Sequence, residues 1–329
     1  MRRAIALCLL ISLLFCGCAR RLEPQDTAVF AMDTAMNLRI YGDDDGAAAQ
    51  RLTELLQDLD AALSVTDPNS AVFALNQEGS SENETVLQLC AYADELCQRT
   101  GGAVDPSVYP ALRLWGFTAD AYRVPMPHEI DETLEAVGMS HVHLTAETVT
   151  LDDHAALDFG AFAKGYAGDQ CAALLAELEL PAVLTLGGNI QTVGTKPDGT
   201  PWRIGIADPD APAEYCASLQ ITGSKAVVTS GDYQRFFEYE GKRYCHIFDP
   251  QTGRPVSNGL RSVTVVCDSG LTADGLSTAL FVMGLEQATE FWRGADDFEA
   301  VFIDAEGGVY VTEGLQDVIS DCEFTVIAR

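Results

Sequence analysis

Five stretches of the sequence concentrate residue types that bind anions or move protons. They are residues 100–117, 157–169, 185–190, 229–237 and 244–255. Two of them end a predicted strand on Gly-Gly or Ser-Gly-Asp, and such loops expose backbone N–H groups that suit phosphate. Lys164 lies in the first turn of a predicted helix, where the helix dipole disfavours a cation, so its placement indicates a bound anion. Neither a P-loop nor a dinucleotide-binding fingerprint occurs.

Each of these features also has a purely structural explanation. A Gly pair after a strand is commonly only a turn, and a single lysine is a common surface residue. His246, at a predicted strand end, is a proton-transfer candidate because imidazole is neutral near pH 7, but single histidines are often structural. Residues 249–253, DPQTG, make a good type I turn in any case. No single stretch therefore determines a function.

A carboxylate and a hydroxyl lie four residues apart in GLTADGLSTALFVMG, residues 270–284. Apolar residues three or four apart predict a helix with one buried face. Asp274 and Thr278 share one side of this helix, because residues four apart are neighbours on a helix surface. We expect Asp274 in the first turn, where the helix dipole alone would explain an acid. The alternative is that the two oxygens bind a ligand.

The composition limits the ligands and partners of the chain. Its 329 residues are 47% hydrophobic, enough for a sizeable core, and its net charge is −29. So acidic a protein disfavours nucleic acid and a bare anionic membrane as partners. A phosphate ligand would need local positive charge, supplied by a metal or by clustered Arg and Lys. Most of the acidic residues are explained by solubility.

The N-terminus has the pattern of an export signal. Two arginines precede an apolar run over residues 4–15, which is too short for a membrane span of roughly 20 residues. The letters LLFCGC resemble a bacterial lipoprotein box, which predicts a signal peptide over residues 1–17, a lipid on Cys18 and a tether over residues 18–27. The protein is then expected outside the cytoplasm, anchored to the cell membrane by its lipid. Plain secretion and an uncleaved anchor are the alternatives.

The remaining cysteines do not form a recognisable framework. They show no CxxC pair and no zinc-type spacing, and most lie inside apolar runs. We expect most of them to be small buried hydrophobic residues. They are Cys90, Cys97, Cys171, Cys216, Cys245, Cys267 and Cys322.

Hydrophobic periodicity predicts helices and strands that are interspersed along the chain. A strand is predicted over residues 28–41. Short strands follow within residues 141–151 and from residue 182 onward, including a hairpin through Glu240-Gly241. Strict alternation of strands and helices is absent, so the sequence predicts an α+β fold with one compact catalytic unit from residue 28 to residue 329. Helices are predicted over residues 47–63, 84–99 and 162–179.

The order of the motifs is more specific than any one of them. The chain resembles the ApbE family over residues 28–329, through these blocks in this order: AMDTAMNL, GGAVDPSVYPALRLWGF, LDFGAFAKGYAGD, LTLGGNI, WRIGIADP, VVTSGDYQRFF, HIFDPQTGRPV and TADGLSTALFVMG. The resemblance implies a T-fold-like α+β domain of mixed and antiparallel sheets packed with helices. It also implies a lipoprotein enzyme that moves FMN from FAD to a Thr or Ser of an extracytoplasmic acceptor protein, such as an electron-transport subunit, and releases AMP.

The resemblance assigns a metal site. A Mg²⁺ ion at the FAD pyrophosphate would be held by the backbone carbonyl of Ala161 and by the side chains of Asp274 and Thr278. This set agrees with the chemistry of the ion, because Mg²⁺ takes oxygen ligands and usually joins one or two carboxylates to substrate phosphates. Lys164 would face the same pyrophosphate.

The resemblance also assigns the flavin site and the proton acceptor. His246 is the candidate to accept the proton of the attacking hydroxyl. Asp158 could share that role or bind the adenosine part of FAD. The expected FAD contacts are Met32, Ala103, Val104, Asp105, Asp158, Lys164, Gly187, Gly188, His246 and Ile247.

Three positions depart from the family pattern. Thr66 stands where many members have Tyr, Val104 where Phe or Met is common, and Asp33 where Gly is usual. These differences concern the ring contacts rather than the metal site. Tyr109 is a candidate to supply a replacement contact.

Two other functions stay open from the sequence. One is Mg²⁺-dependent hydrolysis of FAD to FMN and AMP, in which water replaces the acceptor hydroxyl. The other is a non-catalytic flavin-binding surface lipoprotein, in which the metal ligands would be dispensable. The presence of Asp274, Thr278 and Lys164 together favours an enzyme.

Overall fold

The structure is a computed structural model, and it describes residues 22–119 and 121–329. The predicted signal peptide, the lipidation site Cys18 and the first residues of the tether lie outside these ranges. The end of the predicted tether belongs to the fold, because the first strand begins at Pro24, which pairs with Tyr41. Among the described residues, no helix is long and apolar enough to span a membrane.

The elements of the described chain are numbered in chain order. The helices are α1 (Ala47–Leu63), α2 (Ala71–Glu78), α3 (Glu84–Arg99), α4 (Tyr109–Trp115), α5 (Pro127–Leu134), α6 (Ala163–Glu177) and α7 (Gly270–Arg293, non-helical at Gly284). The strands are β1 (Pro24–Ala31), β2 (Thr34–Tyr41), β3 (Ser80–Ser81), β4 (Val142–Leu144), β5 (Val149–Leu151), β6 (Ala182–Leu186), β7 (Asn189–Val193), β8 (Trp202–Ala207), β9 (Tyr215–Ile221), β10 (Lys225–Gly231), β11 (Phe236–Tyr239), β12 (Lys242–Cys245), β13 (Phe248–Asp249), β14 (Arg254–Pro255), β15 (Leu260–Cys267), β16 (Phe298–Asp304), β17 (Val309–Thr312), β18 (Ile319–Ser320) and β19 (Thr325–Ile327).

A nine-stranded sheet forms the middle of three layers, in the order β1-β2-β6-β7-β10-β15-β16-β17-β19. Its strand pairs are antiparallel except for the parallel pair β17–β19. Helices α1, α3, α6 and α7 cover one face, and the small sheet β18-β9-β8 covers the other. Because successive strand residues point to opposite faces, Val227 of β10 packs on the small sheet and Val228 packs against the helices. The predicted α+β class is confirmed.

The helix periodicity is confirmed, whereas the strand predicted over residues 28–41 is confirmed only in part, since a turn divides it into two strands. The helices predicted over residues 47–63 and 84–99 have the bounds of α1 and α3. Residues 28–41 form part of a hairpin, β1–β2, with a turn at Met32-Asp33. Both turn residues have positive φ, 51° and 56°, as a two-residue type I′ turn requires. The turn lacks the usual Asn-Gly signal, and therefore the sequence pattern does not show it.

Helix α7 has the predicted start but places Asp274 differently. The helix begins at Gly270 after the N-cap Ser269, so Asp274 lies in the second turn and not in the first. The acid at the N-terminus is Asp169 of α6, whose carboxylate accepts hydrogen bonds from Ser269 Oγ and from the N–H groups of Gly270 and Leu271. The helix dipole therefore does not explain Asp274, since the dipole effect falls off within the first turn.

The cysteines of the described chain are packed as predicted. Cys90, Cys171, Cys245 and Cys267 are buried, and the other three are half-buried. All of them are free thiols. Burial raises the pKa of Cys90 to about 12, so this thiol is unreactive at neutral pH.

Helices α6 and α7 cross at two glycines. A side-chain carbon on Gly165 would lie 2.2 Å from the carbonyl oxygen of Gly270, and one on Gly270 would lie 2.6 Å from the carbonyl oxygen of Gly165. Both contacts are with backbone, so no change of rotamer relieves them. The close approach lets the N–H of Gly165 donate to Oδ2 of Asp274 at 2.8 Å. Glycine is required here for the approach of two backbones.

Gly165→Ala is expected to lower the free energy of unfolding by about 3 kcal/mol, because the methyl group forces two packed helices apart. Urea denaturation followed by circular dichroism measures the change. Gly294→Ala, at the end of α7, is the matched control, since its side-chain carbon would meet no atom closer than 3.6 Å. We expect less than about 1 kcal/mol there. Equal denaturation midpoints for the two variants would contradict the role of the crossing.

Candidate functional site

The five stretches identified in the sequence meet in the fold. The loops after β6 and β10 touch, because a side-chain carbon on Gly188 would lie 2.8 Å from Nε2 of Gln234. The N–H of Asp158 donates to the carbonyl of Pro106 at 3.0 Å, which joins two further stretches. The last stretch is joined through His246, whose N–H donates to the carbonyl of Arg235 at 3.0 Å, and the side chain of Arg235 donates to the carbonyl of Phe117 at 2.7 Å. Residues far apart in the chain therefore form one site beside the crossing of α6 and α7.

Asp274 is a buried carboxylate at the start of this site. Its side chain accepts the N–H of Gly165, and the residue is 3% exposed. Burial raises the pKa of Asp274, while the charge of Lys164, the Gly165 hydrogen bond and the side chain of Asn189 lower it. Asn189 is buried too, and its Nδ2 makes no hydrogen bond of normal geometry within the described chain. A carboxylate and an amide thus lie close together, away from water.

Hydroxyl groups connect α7 to β10. Ser230 Oγ lies 2.8 Å from Ser277 Oγ and 3.2 Å from Thr278 Oγ1. Ser277 Oγ donates to the backbone carbonyl of Asp274 at 2.9 Å. Thr278 therefore lies next to β10, and Asp274 next to α6, on neighbouring turns of α7. From the sequence alone, Ser230 is only part of a strand-end loop, and no spacing pattern marks its contact with α7.

Lys164 lies in the first turn of α6, as predicted, and Ala161 lies two residues before this helix. The Nζ of Lys164 donates to the carbonyl of Gly160 at 3.4 Å. The positive charge of Lys164 lowers the pKa of Asp158, Asp274 and His246. Lys164 is therefore the cation that these three groups share.

Asp158 is half-buried in the loop that precedes α6. Its Oδ1 accepts the N–H of Gly160 at 2.8 Å. Burial raises the pKa of Asp158, while the Gly160 hydrogen bond and the charges of Arg235 and Lys164 lower it. Whether Asp158 transfers a proton or contacts a ligand stays a prediction.

The carboxylate of Asp105 has a structural role. The residue is buried, and the carboxylate accepts hydrogen bonds from Ser107 N, Ser107 Oγ and Met139 N at 2.8, 2.6 and 3.1 Å. Ala103 and Val104 beside it are buried as well. The side chain of Asp105 is thus committed to the fold, so an FAD contact at this position would come from the backbone.

The β1–β2 turn lies beside the loop after β6. A side-chain carbon on Gly187 would lie 3.1 Å from Oγ1 of Thr34, and the positive φ of Gly187, 69°, suits this tight turn. Met32 packs against both helix-side core clusters. Ile247 is buried, in the core rather than on the surface.

Tyr109 lies beside the position where the family tyrosine is missing. Its hydroxyl donates to the carbonyl of Val65 at 3.4 Å, next to Thr66. Burial and the negative charge of Asp158 raise the pKa of Tyr109. The ring therefore lies between the turn at Thr66 and Asp158, and its role as a replacement contact stays a prediction.

His246 follows β12 and is held by the backbone of Arg235. Nδ1 of His246 lies 3.2 Å from the carbonyl oxygen of Arg235. A carbonyl oxygen only accepts hydrogen bonds, so the ring proton sits on Nδ1 and Nε2 keeps its lone pair. Burial and the charges of Arg235 and Lys164 lower the pKa of His246 to about 4. The imidazole is therefore neutral at pH 7, with Nε2 available as a proton acceptor.

The lowered pKa of His246 predicts a loss of stability in acid. The unfolded chain binds a proton at His246 below about pH 6.5, whereas the folded protein does so only near pH 4. The unfolding free energy therefore decreases as the pH falls through this window, by at most about 3 kcal/mol from this group.

His246→Gln removes this contribution, so the variant is expected to lose less unfolding free energy between pH 7 and pH 4 than the wild type. Urea denaturation at a series of pH values measures the difference. His128→Gln, at an exposed position, is the matched control and is expected to follow the wild type. Parallel curves for the wild type and His246→Gln would contradict the lowered pKa.

Comparison with known proteins gives a consistent result. Residues 32–302 match the model of the ApbE family. The FAD:protein FMN transferase of Treponema pallidum is 31% identical, with 96% of this chain and 94% of that protein covered, and that of Vibrio cholerae is 34% identical, with 84% and 86% covered.

Solved structures agree in fold as well. The ApbE protein of Thermotoga maritima superposes with a TM-score of 0.84 at 30% identity, covering 90% of this chain and 99% of that one. The flavinyl transferase ApbE of Pseudomonas stutzeri, in its apo form, gives a TM-score of 0.81 at 29% identity, covering 91% and 98%. The sequence match, the fold and the clustered site residues lead to one conclusion: the chain belongs to the ApbE family.

Proposed function

We propose that this protein transfers FMN from FAD to a Thr or Ser hydroxyl of an extracytoplasmic acceptor protein and releases AMP. Proteins that are similar to this one over most of its length are named FAD:protein FMN transferase. The observation that carries the proposal is the α6–α7 crossing, which places the buried Asp274 beside Lys164. His246, held in its proton-accepting tautomer, is under the charge of the same lysine.

The donor types that we propose for a Mg²⁺ ion are those that this ion prefers. Within residues 22–119 and 121–329, no three His, Cys, Asp or Glu side chains form a metal cluster. The proposed ligands are of a different kind: the carboxylate of Asp274, the hydroxyl of Thr278 and the carbonyl of Ala161. A buried carboxylate whose pKa is raised by burial favours a nearby cation, because the cation stabilises its ionised form.

A small oxygen set also suits Mg²⁺, which keeps positions for water and for substrate phosphates. When bound, Mg²⁺ would offset the negative charge that develops on the pyrophosphate during the displacement. The main-chain N–H of Gly165 holds one oxygen of Asp274 in place, which limits how the carboxylate can turn.

The proton of the attacking hydroxyl is assigned to Nε2 of His246. The carbonyl of Arg235 keeps the ring proton on Nδ1, so Nε2 carries no proton and is able to accept one. A pKa of about 4 makes the free imidazole a weak base. Bound pyrophosphate adds negative charge, which raises the pKa of His246 and makes proton transfer more favourable. Much of the remaining rate would come from positioning and charge.

The same arrangement of residues is also compatible with hydrolysis of FAD. Water in place of the acceptor hydroxyl would give free FMN and AMP through the same His246. A non-catalytic flavin carrier would make no use of the buried Asp274 or of the oriented imidazole. The site geometry therefore favours catalysis, and the products distinguish transfer from hydrolysis.

The predicted signal peptide and lipidation site bear on where the protein is located in the cell. We propose removal of residues 1–17 and a lipid on Cys18, which would hold the domain at the outer side of the cell membrane. Cys18→Ser is expected to abolish incorporation of labelled palmitate, since the sulfur of Cys18 is the proposed point of attachment of the lipid. Fluorography of the protein made in cells fed with the labelled lipid tests this. Cys97→Ser, at a half-buried cysteine within the fold, is the control, and equal labelling of the Cys18→Ser variant and the wild type would contradict the anchor.

The proposed reaction is tested by its products. The protein is incubated with FAD, Mg²⁺ and an acceptor domain, such as a quinone-reductase subunit with an exposed Thr in a Ser/Thr/Ala-rich segment. Transfer gives covalent flavin fluorescence on the acceptor together with AMP. AMP without labelled acceptor would show hydrolysis, and neither product would favour the flavin carrier.

Asp274→Ala is expected to lower Mg²⁺-dependent AMP release by about 100-fold or more, because it removes the only charged ligand of the proposed site. Circular dichroism is expected to stay unchanged, since the variant loses a carboxylate that burial disfavours. Asp268→Ala, on the surface just before α7, is the matched control and is expected to keep full activity. Retained activity in the Asp274→Ala variant would contradict the metal site.

A further inference from the structure

Two cations without a carboxylate partner flank the site. Most of the lysines and arginines in the described chain form ion pairs, as Arg39, Arg99 and Arg261 do. Within this part of the chain, neither Lys164 nor Arg235 has a carboxylate within ion-pair distance, although the protein carries a net charge of −29. Unpaired cations at one place in so acidic a protein indicate an anionic ligand.

Arg235 is joined to the site by both its backbone and its side chain. Its carbonyl accepts hydrogen bonds from the N–H and from Nδ1 of His246, at 3.0 and 3.2 Å. One terminal nitrogen of its guanidinium donates to the carbonyl of Phe117 at 2.7 Å. A guanidinium has five N–H donors, so this contact orients the group and leaves donors for a ligand.

The charge of Arg235 acts on the reacting groups. It lowers the pKa of both Asp158 and His246, and in each case its effect exceeds that of Lys164. The two cations therefore approach the same pair of groups. An anion near His246 and Asp158 would lie within the field of both.

Resting on the proposed transfer reaction, we propose that Arg235 binds the FMN phosphate of FAD at the phosphorus that is attacked. Planar guanidinium matches phosphate with two parallel hydrogen bonds, which a lysine does not provide. His246 must reach the attacking hydroxyl, and that hydroxyl must reach this phosphorus. The backbone carbonyl of Arg235 accepts hydrogen bonds from His246. The side chain of Arg235 therefore begins close to the imidazole.

The step is an in-line displacement. A bond forms between the acceptor oxygen and the FMN phosphorus, and the bond from this phosphorus to the bridging oxygen breaks. AMP leaves with the bridging oxygen, and the hydroxyl proton goes to Nε2 of His246. Arg235 offsets charge on the oxygens of the attacked phosphate, so its contribution is expected mainly in kcat.

The test compares Arg235→Gln with Arg51→Gln, a change at an exposed arginine on α1. We expect Arg235→Gln to lower kcat of transfer by about 100-fold, with KM for FAD changed by about threefold or less. Arg51→Gln is expected to match the wild type. Because the carbonyl that holds His246 remains in the variant, the loss reports on the guanidinium. Unchanged kcat in Arg235→Gln would overturn the proposal.

Chemical rescue of activity distinguishes a catalytic role of Arg235 from a purely structural one. In Arg235→Ala, added guanidinium chloride at millimolar concentration is expected to restore part of kcat, about tenfold, because the small cation replaces the missing group. Thermal unfolding is expected to change little. Loss of activity that follows loss of stability, with no rescue, would overturn the proposal in favour of a packing role at Phe117.

Binding of inorganic pyrophosphate, measured by titration calorimetry, gives a readout that needs no transfer activity. We expect Arg235→Gln to bind it about threefold more weakly than the wild type, in line with the small change in KM, and Arg51→Gln to bind it equally. If the wild type shows no transfer but this difference is present, the proposed function fails and the anion contact stands. If transfer occurs and Arg235→Gln matches the wild type in both assays, the anion contact fails and the function stands.

Discussion

The contact of two glycine backbones at the crossing of α6 and α7 is the constraint on which the site depends. Gly165 and Gly270 approach so closely that neither has room for a side chain. Only at this distance does the N–H of Gly165 reach Asp274, and only then can Asp169 of α6 cap α7. A third glycine, Gly275, lets α7 pack against Leu96 and the ring of Phe162, where a side-chain carbon would approach to 2.3 Å and 3.0 Å. The glycines thus determine the position of the Asp274 carboxylate, and the close-packed core behind them prevents the two helices from shifting.

The electrostatics of the site are the reverse of those of the surface. The chain is strongly acidic, yet its site brings together two cations that have no ion-pair partner among the described residues and two carboxyl groups whose pKa values are raised by burial. The imidazole of His246 is kept neutral by burial and by the same cations. A polyanionic ligand would offset the charges of Lys164 and Arg235, whereas the carboxyl groups of Asp158 and Asp274 are stabilised in their ionised form by a cation and not by an anion. The charge balance proposed for the site therefore needs both an anionic ligand and a cation.

Sequence patterns predicted the regular elements well where one periodicity was strong. The leucine-rich period of residues 47–63 is that of α1, with the same bounds. The pattern failed at Met32-Asp33, because the left-handed turn is made by residues that do not usually signal one. It also misplaced Asp274 by one turn, since the acid that caps α7 comes from Asp169, more than a hundred residues earlier. Both failures have one cause: the deciding contact is made through space and leaves no local signal.

The order of the motifs in the chain was sufficient to indicate the family and the fold class and to propose the site residues, because these depend on residue types and their spacing. The tertiary structure alone decided which of these residues meet and in what state. It assigns the carboxylate of Asp105 to the fold, brings Tyr109 beside Thr66, and adds Ser230, Asn189 and Arg235 to the site. The tautomer of His246 and the pKa shifts of Asp158 and Asp274 also belong to the folded state. Burial and hydrogen bonding between distant segments set these properties, and neither exists until the chain has folded.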